Sequence, residues 1–179
     1  MTSIETDRLL LRDFRPDDWE SVHQYASDPE VTRCMLWGPN TPEETRSFIR
    51  RAIAGQGEGH RRHYELAVVL KGQGPLIGSC GIHVSAPERR QGWIGYALAR
   101  RHWGQGYATE AARGVVTFGF GDLGLHRIFG TCDPANRASA RVMEKLGMRR
   151  EGLLKEYSWG KDAWHDRELY AVLDYEWHA

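Results

Sequence analysis

Leu98-Ala99-Arg100-Arg101-His102-Trp103-Gly104-Gln105-Gly106-Tyr107-Ala108-Thr109-Glu110 is the stretch whose reading decides the fold. An apolar, β-prone run enters it, two glycines one residue apart turn the backbone, and a helical pattern leaves it from Tyr107. The first N–H groups of a helix have no partner within it, and the aligned peptide dipoles put partial positive charge at their tips, so such a junction attracts anions. Glycine places no Cβ between an anion and those amides and accepts φ > 0. Arg101, just upstream, adds a cation.

Two better-known phosphate loops fit this stretch less well. A P-loop needs Lys followed by Ser or Thr after its last glycine, and no lysine stands between Lys71 and Lys145. The dinucleotide fingerprint G-x-G-x-x-G asks for glycine where Thr109 stands and normally opens a domain, which leaves a dinucleotide-dependent oxidoreductase only as a rival.

Upstream of the turn lie three runs of period two. Residues 63–70 alternate, Lys71-Gly72-Gln73-Gly74-Pro75 turns the chain into residues 76–84, and residues 85–91 lead to a third run at 92–99, a meander of antiparallel strands. Farther back, residues 8–14 read as a strand. Asp17 and Glu20 at capping-box spacing open a helix that Asp28-Pro29 ends. Thr41, Pro42 and Glu44 open a second, with Phe48, Ile49, Ala52 and Ile53 on its buried face and a loop at 55–62 after it.

Downstream, Ala108, Ala111, Ala112, Val115, Phe118 and Gly119 recur at helical spacing, and their small size predicts close packing on a sheet. Residues 127–132 are the next strand, so strand, helix and strand form one right-handed parallel crossover. Asn136 opens a helix with Ser139, Val142, Met143 and Leu146 on one face. Runs at 148–158 and 166–177, turning near Trp159-Gly160-Lys161-Asp162, close the chain. The order β-α-α-β-β-β-α-β-α-β-β is an α+β fold with a mixed sheet in a single domain, residues 1–179. It sets the glycine turn at the C-terminal end of a strand, where open sheets with crossovers bind ligands.

With 24 basic and 24 acidic residues there is no global field to steer nucleic acid or a membrane surface, and neither is expected as a partner. Cys34, Cys80 and Cys132 are odd in number and lack metal-like spacing, so no disulfide framework and no metal site is expected, and a cytoplasmic setting fits. No signal core or membrane span is expected either.

The element order, together with Arg101-x-x-Gly104-x-Gly106 followed by Tyr-Ala-Thr-Glu-Ala, resembles the GNAT superfamily of acyl-CoA-dependent N-acetyltransferases. Thr-Asp-Arg-Leu-Leu-Leu-Arg at the N-terminus and Asn136-x-x-Ser139-x-x-Val142-Met143-Glu-Lys-Leu-Gly147-Met resemble its RimJ/RimL-type branch, which acts on ribosomal-protein N-termini and small amines. The resemblance implies a mixed, mostly antiparallel sheet of about seven strands flanked by about four helices. It implies acetyl-CoA as acyl donor: Leu98, Ala99 and Arg100 pair with the pantetheine arm, and Arg101, Gly104, Gln105, Gly106, Tyr107, Ala108 and Thr109 hold the pyrophosphate. Asn136 and Ser139 then contact the arm near the thiol, and the Leu98 N–H is the oxyanion donor.

Amide formation from a thioester needs a neutral amine, donors for the developing oxyanion and a proton for the departing thiolate. Many relatives carry a carboxylate where this chain has Trp93 and a tyrosine acid where it has Met143. Ser139 is the replacement acid, and Glu156 or His83 the base; Glu110 is explained by the helix dipole. Trp37, Trp159 and Trp164 are the expected walls of an acceptor site for a peptide N-terminus or small amine. The rival within this fold is a non-catalytic acyl-CoA-binding module. Pairing of two copies through the last hairpin into a homodimer is a further expectation.

Overall fold

In the computed structural model, which describes residues 1–57, 59–72 and 74–178, the period-two runs build one eight-stranded sheet. Its strands are β1 (Ser3–Glu5), β2 (Leu9–Asp13), β3 (His63–Leu70), β4 (Leu76–Ala86), β5 (Gln91–Leu98), β6 (Arg127–Cys132), β7 (Arg149–Gly160) and β8 (Ala163–Leu173). The helices are α1 (Trp19–Ala26), α2 (Pro29–Thr32), α3 (Pro42–Ala54), α4 (Tyr107–Gly121) and α5 (Arg137–Lys145). Spatial order is β1-β2-β3-β4-β5-β6-β8-β7, and among the described residues β5 and β6 form the one parallel pair.

The helices divide the sheet's two faces between them. Ala111, Ala112, Val115 and Val116 of α4 and Met143 of α5 bury Leu66, Val68, Ile82, Ile94, Leu98, Ile128 and Tyr170 on one face. A Cβ on Gly119 would stand 2.5 Å from Ile82 Cδ1, so the small residues of α4 set how closely it lies. On the other face Val22, Tyr25 and Ala26 of α1 and Ile49 of α3 cover Ala67, Leu76, Ala97 and Ala99. The α3 cap is the expected one: Thr41 Oγ1 accepts from the Glu44 N–H and Glu44 Oε2 accepts from the Thr41 N–H at 2.7 Å.

Several boundaries differ from those the sequence predicts. β1 has no counterpart in the sequence pattern, because three residues, exposed but for a half-buried Ile4, are too few to establish a period, and it brings the sheet to eight strands. The acid that opens the first helical segment is Asp18 rather than the Asp17–Glu20 pair: its Oδ2 accepts the Arg15 N–H while Arg12 grips both oxygens at 2.7 and 2.8 Å. Asp28 ends α1 and also caps the one-turn α2, accepting from the Glu30 N–H. β8 begins three residues earlier than predicted and stops at Leu173, where Glu176 turns back to accept the Leu173 N–H. The turns expected at 55–62 and 71–75 each include one residue, Glu58 and Gln73, outside the described set.

The feature that positions the site is a parting of strands. β5 and β6 pair over residues 91–93 and 127–129, after which β5 continues to Leu98 and β6 to Cys132 without further pairing to each other.

Candidate active site

The parting leads to the glycine turn. Gly104 (φ 73°) and Gly106 (φ 83°) are both left-handed, and Gly106 is the N-cap of α4. Among the described residues, the N–H groups of residues 104–109 donate to no backbone carbonyl; the Glu110 N–H, bonded to the Gly106 carbonyl at 3.0 Å, is the first to do so. Gly104 has no heavy atom within 4 Å of where a Cβ would stand, so its amide face is open. Successive unpaired amides at a helix start form a nest that favours an anion. The nearby arginines point elsewhere: Arg100 pairs with Asp28 at 3.3 Å, and Arg101 donates to Gln24 at 3.3 Å and to His102 at 3.1 Å. Gln105 Nε2 donates back to the Arg101 carbonyl.

Glu110 braces this turn against the β1–β2 connection. Its carboxylate accepts from Thr6 Oγ1 at 2.6 Å and from the N–H and Nε–H of Arg8 at 2.8 and 2.7 Å, while Arg8 also donates to the Gln105 carbonyl and lies over the Tyr107 ring. Burial pushes this carboxyl up, but the bonds from Thr6 and Arg8 outweigh it and hold it below the usual range. Glu110→Gln is therefore expected to cost about 1 kcal/mol at neutral pH, after discounting the half-exposed arginine for solvent screening. Because the folded pKa is the lower one, the Tm gap between parent and variant should be full at pH 7 and shrink as pH falls through the acid range, which thermal melts at both ends will read.

Along β5 the Ala99 N–H is bonded to the Ile77 carbonyl, so strand alternation turns the backbone groups of Leu98, Tyr96 and Ile94 toward the parting. The Leu98 carbonyl is taken by the Trp103 indole N–H at 2.8 Å, and its N–H remains on the open side. On the α5 face of the parting, Ser139 Oγ and Tyr96 Oη are 2.9 Å apart, and the phenol is also 3.1 Å from the Ser139 carbonyl. Burial pushes the Tyr96 phenol well up, only partly offset by Ser139, so it keeps its proton at neutral pH. Asn136 Oδ1 accepts the Ser139 N–H at 3.1 Å and caps α5. Met143 is core: its Sδ lies 2.7 Å from where a Cβ on Gly130 would stand.

On the opposite face the floor carries titratable groups. Glu65 Oε2 and His83 Nε2 are 3.2 Å apart, His83 Nδ1 and His63 Nδ1 are 2.8 Å apart, and Trp93 stacks on His83 with ring centroids 4.0 Å apart. Where the Glu65 carboxylate accepts from Nε2–H, His83 Nδ1 is the acceptor for the His63 Nδ1–H. The Glu65 carboxylate hangs over Gly81, 2.8 Å from where a Cβ would stand, and Gly81 is paired with Gly95. The carboxylate above Gly81 is thus one strand spacing, about 5 Å, from β5, with the edge of the Trp93 ring lying over Gly95 between it and the parting.

Glu156 is elsewhere: it sits exposed on edge strand β7, in a bulge at φ 46°, and its N–H is bonded to Asp166. The structure therefore brings His83 to the floor together with Glu65 and His63, which sequence reasoning missed, and keeps Glu156 apart. Trp159 and Trp164 meet edge to face, 5.4 Å between centroids, at the tip of the β7–β8 hairpin. That tip docks on the α1–α3 side: Lys161 Nζ donates to the Thr32 carbonyl, and Gly160 lies against Leu36, next to Trp37.

A parallel strand pair opened toward a bare anion nest is the architecture of an acyltransferase that works with a coenzyme A thioester. The chain belongs to the acetyltransferase (GNAT) domain family, whose model matches residues 8–149. It is 35% identical over 175 residues to the uncharacterized N-acetyltransferase YnaD of Bacillus subtilis, spanning 98% of this chain and 99% of that one. A GNAT-family acetyltransferase from Bacillus anthracis has the same fold at TM-score 0.86 with 37% identity, over 98% of this chain and 100% of its own. Mycobacterium smegmatis RimJ, solved in complex with CoA-disulfide, aligns at TM-score 0.80 and 27% identity over 92% and 81% of the two chains. The chain is thus an N-acetyltransferase of RimJ/RimL-like type, which displaces the oxidoreductase reading. Among the described residues no helix is long and apolar enough to cross a membrane.

Proposed function

We propose that this enzyme moves the acetyl group of acetyl-CoA directly onto a primary amine, a peptide N-terminus or a small molecule, with both substrates bound at once. The observation that carries the reading is the length of β5 beyond Trp93 that is not paired to β6, which leads through the turn at Arg100–His102 to the bare amides of residues 104–109. RimJ's complex with CoA-disulfide supports the same donor here. The residues present fit it: the glycine nest takes the pyrophosphate, and the open edge of β5 takes the pantetheine arm. When bound, the coenzyme supplies an activated acyl group on sulfur.

The chain's own groups do the rest. An aliphatic ammonium with pKa near ~10 must lose a proton before it attacks, and Glu65, backed by His83 and His63, is the base on the floor from which the amine approaches. The Leu98 N–H points into the parting to receive the developing oxygen charge. Ser139 passes a proton to the departing sulfur from the α5 face and is resupplied by the Tyr96 phenol 2.9 Å away, which regains its own from solvent as Glu65 releases the proton taken from the amine. Trp37, Trp159 and Trp164 border the side from which the acceptor enters.

Purified protein given acetyl-CoA and a panel of peptide and small primary amines is expected to release free thiol in step with N-acetyl product. Initial-rate plots should intersect, as sequential binding requires. Coenzyme A binding without turnover on any amine would instead leave a non-catalytic acyl-CoA-binding module.

A further inference from the structure

We propose that Arg167 reads a carboxylate on the acceptor, so that the amine acetylated is that of an amino acid with its carboxylate free. The inference rests on the acyl-transfer reading above and names the substrate class of that same site.

Arg167 is on β8, where Tyr170 and Val172 face the α4–α5 core. Glu168 bonds the Tyr170 hydroxyl and shares their face, and Arg150 at 3.1 Å and Arg137 at 3.7 Å occupy it. Strand alternation therefore turns Arg167 to the opposite face, the one that carries Glu65, His83 and the Trp159–Trp164 hairpin tip. Its Nη2 donates to the Thr131 carbonyl at 3.3 Å. Thr131 lies two residues beyond Phe129, the last residue of β6 paired to β5, so the guanidinium stands beside the parting.

The side chain is 9% exposed, and among the described residues its Nε and Nη1 have no hydrogen-bond partner. A guanidinium cannot escape burial by shedding its proton, and a buried charge without a counter-ion is strongly unfavourable. Its planar fork of donors matches a carboxylate, which can accept two parallel N–H bonds. Arg167 and Glu65 thus stand on either side of the open edge of β5. On this proposal the acceptor lies between them, its carboxylate toward Arg167 and its amine toward Glu65 and the thioester.

The test compares amino acids with their carboxamides as acceptors for the whole enzyme, with kcat/KM expressed per unprotonated amine because the two forms differ in amine pKa. The parent should prefer the free carboxylate tenfold or more, through acceptor KM, and in Arg167→Gln the ratio should fall to within threefold of unity. Arg167→Lys should retain part of it. No preference in the parent overturns the proposal, and this arm needs no variant to fold. So does an unchanged ratio when both acceptors slow equally in the variant, which would put Arg167 on the thioester oxygen. A preference for peptides with an acidic second residue over free amino acids also overturns it. Failure to acetylate any amine would instead sink the acyl-transfer reading.

Discussion

Gly106→Val is expected to raise the KM for acetyl-CoA by a hundredfold or more while the protein remains folded. Gly106 holds φ 83° as the N-cap of α4, a conformation that costs an ordinary residue about 1–2 kcal/mol and is a true outlier for a β-branched one. Valine would relieve that strain by rotating the peptide planes, and the groups that rotate are the free N–H groups of the nest. Crowding is secondary, since the nearest atom to an added Cβ would be the far end of the Arg8 side chain, Nη2, at 3.4 Å. Gly106→Ala, with the same sign of strain but no branch, should fall between parent and valine. Gly121→Ala, at the far end of α4 with open space around it, should leave the KM where it was. Circular dichroism and coenzyme A titration check the set. A folded Gly106→Val protein that binds coenzyme A as the parent does would remove the nest from the binding site.

What can be read from the sequence, and what cannot, divides by the distance over which the signal acts. The glycine turn and the Thr41–Glu44 cap are legible because every group that makes them lies within a few residues. So is the close seating of α4, announced by its alanines and Gly119. The floor of the site is different. Its histidine is visible alone, but Glu65 passes as one more outward residue in an alternating run, and the partnership depends on β3–β4 register. That register shifts by one residue at a bulge between Val68 and Val69. Counting straight back from the Leu76–Val69 pair would set Glu65 opposite Cys80 rather than Gly81, and a one-residue slip reverses which side chains share a face. Tyr96 and Ser139, 43 residues apart, meet only because β5 and α5 flank the same parting. Arg167 gives no sign at all, since its lack of an ion-pair partner among the described residues is a property of the folded sheet.

Glu65→Gln is expected to lower kcat by about 10²–10⁴-fold with little change in the KM for acetyl-CoA, the range that loss of a general base produces. The amide keeps the size of the carboxylate, so Gly81 still fits beneath it and the fold is preserved; what is lost is the capacity to take a proton. His83 alone does not substitute, because the hydrogen bond at 3.2 Å that orients it has its acceptor on Glu65. His83→Gln should therefore give a smaller loss than Glu65→Gln, with the carboxylate still present and only its imidazole support gone. The discriminating readout is the pH dependence. If Glu65 strips the acceptor ammonium, the variant should recover rate as pH rises toward the amine's own pKa, where free amine no longer has to be generated by the enzyme. A Glu65→Gln enzyme with parental kcat and an unaltered pH profile would move the base elsewhere. The exposed Glu156 of β7, one strand beyond Arg167, would then be the carboxylate to test.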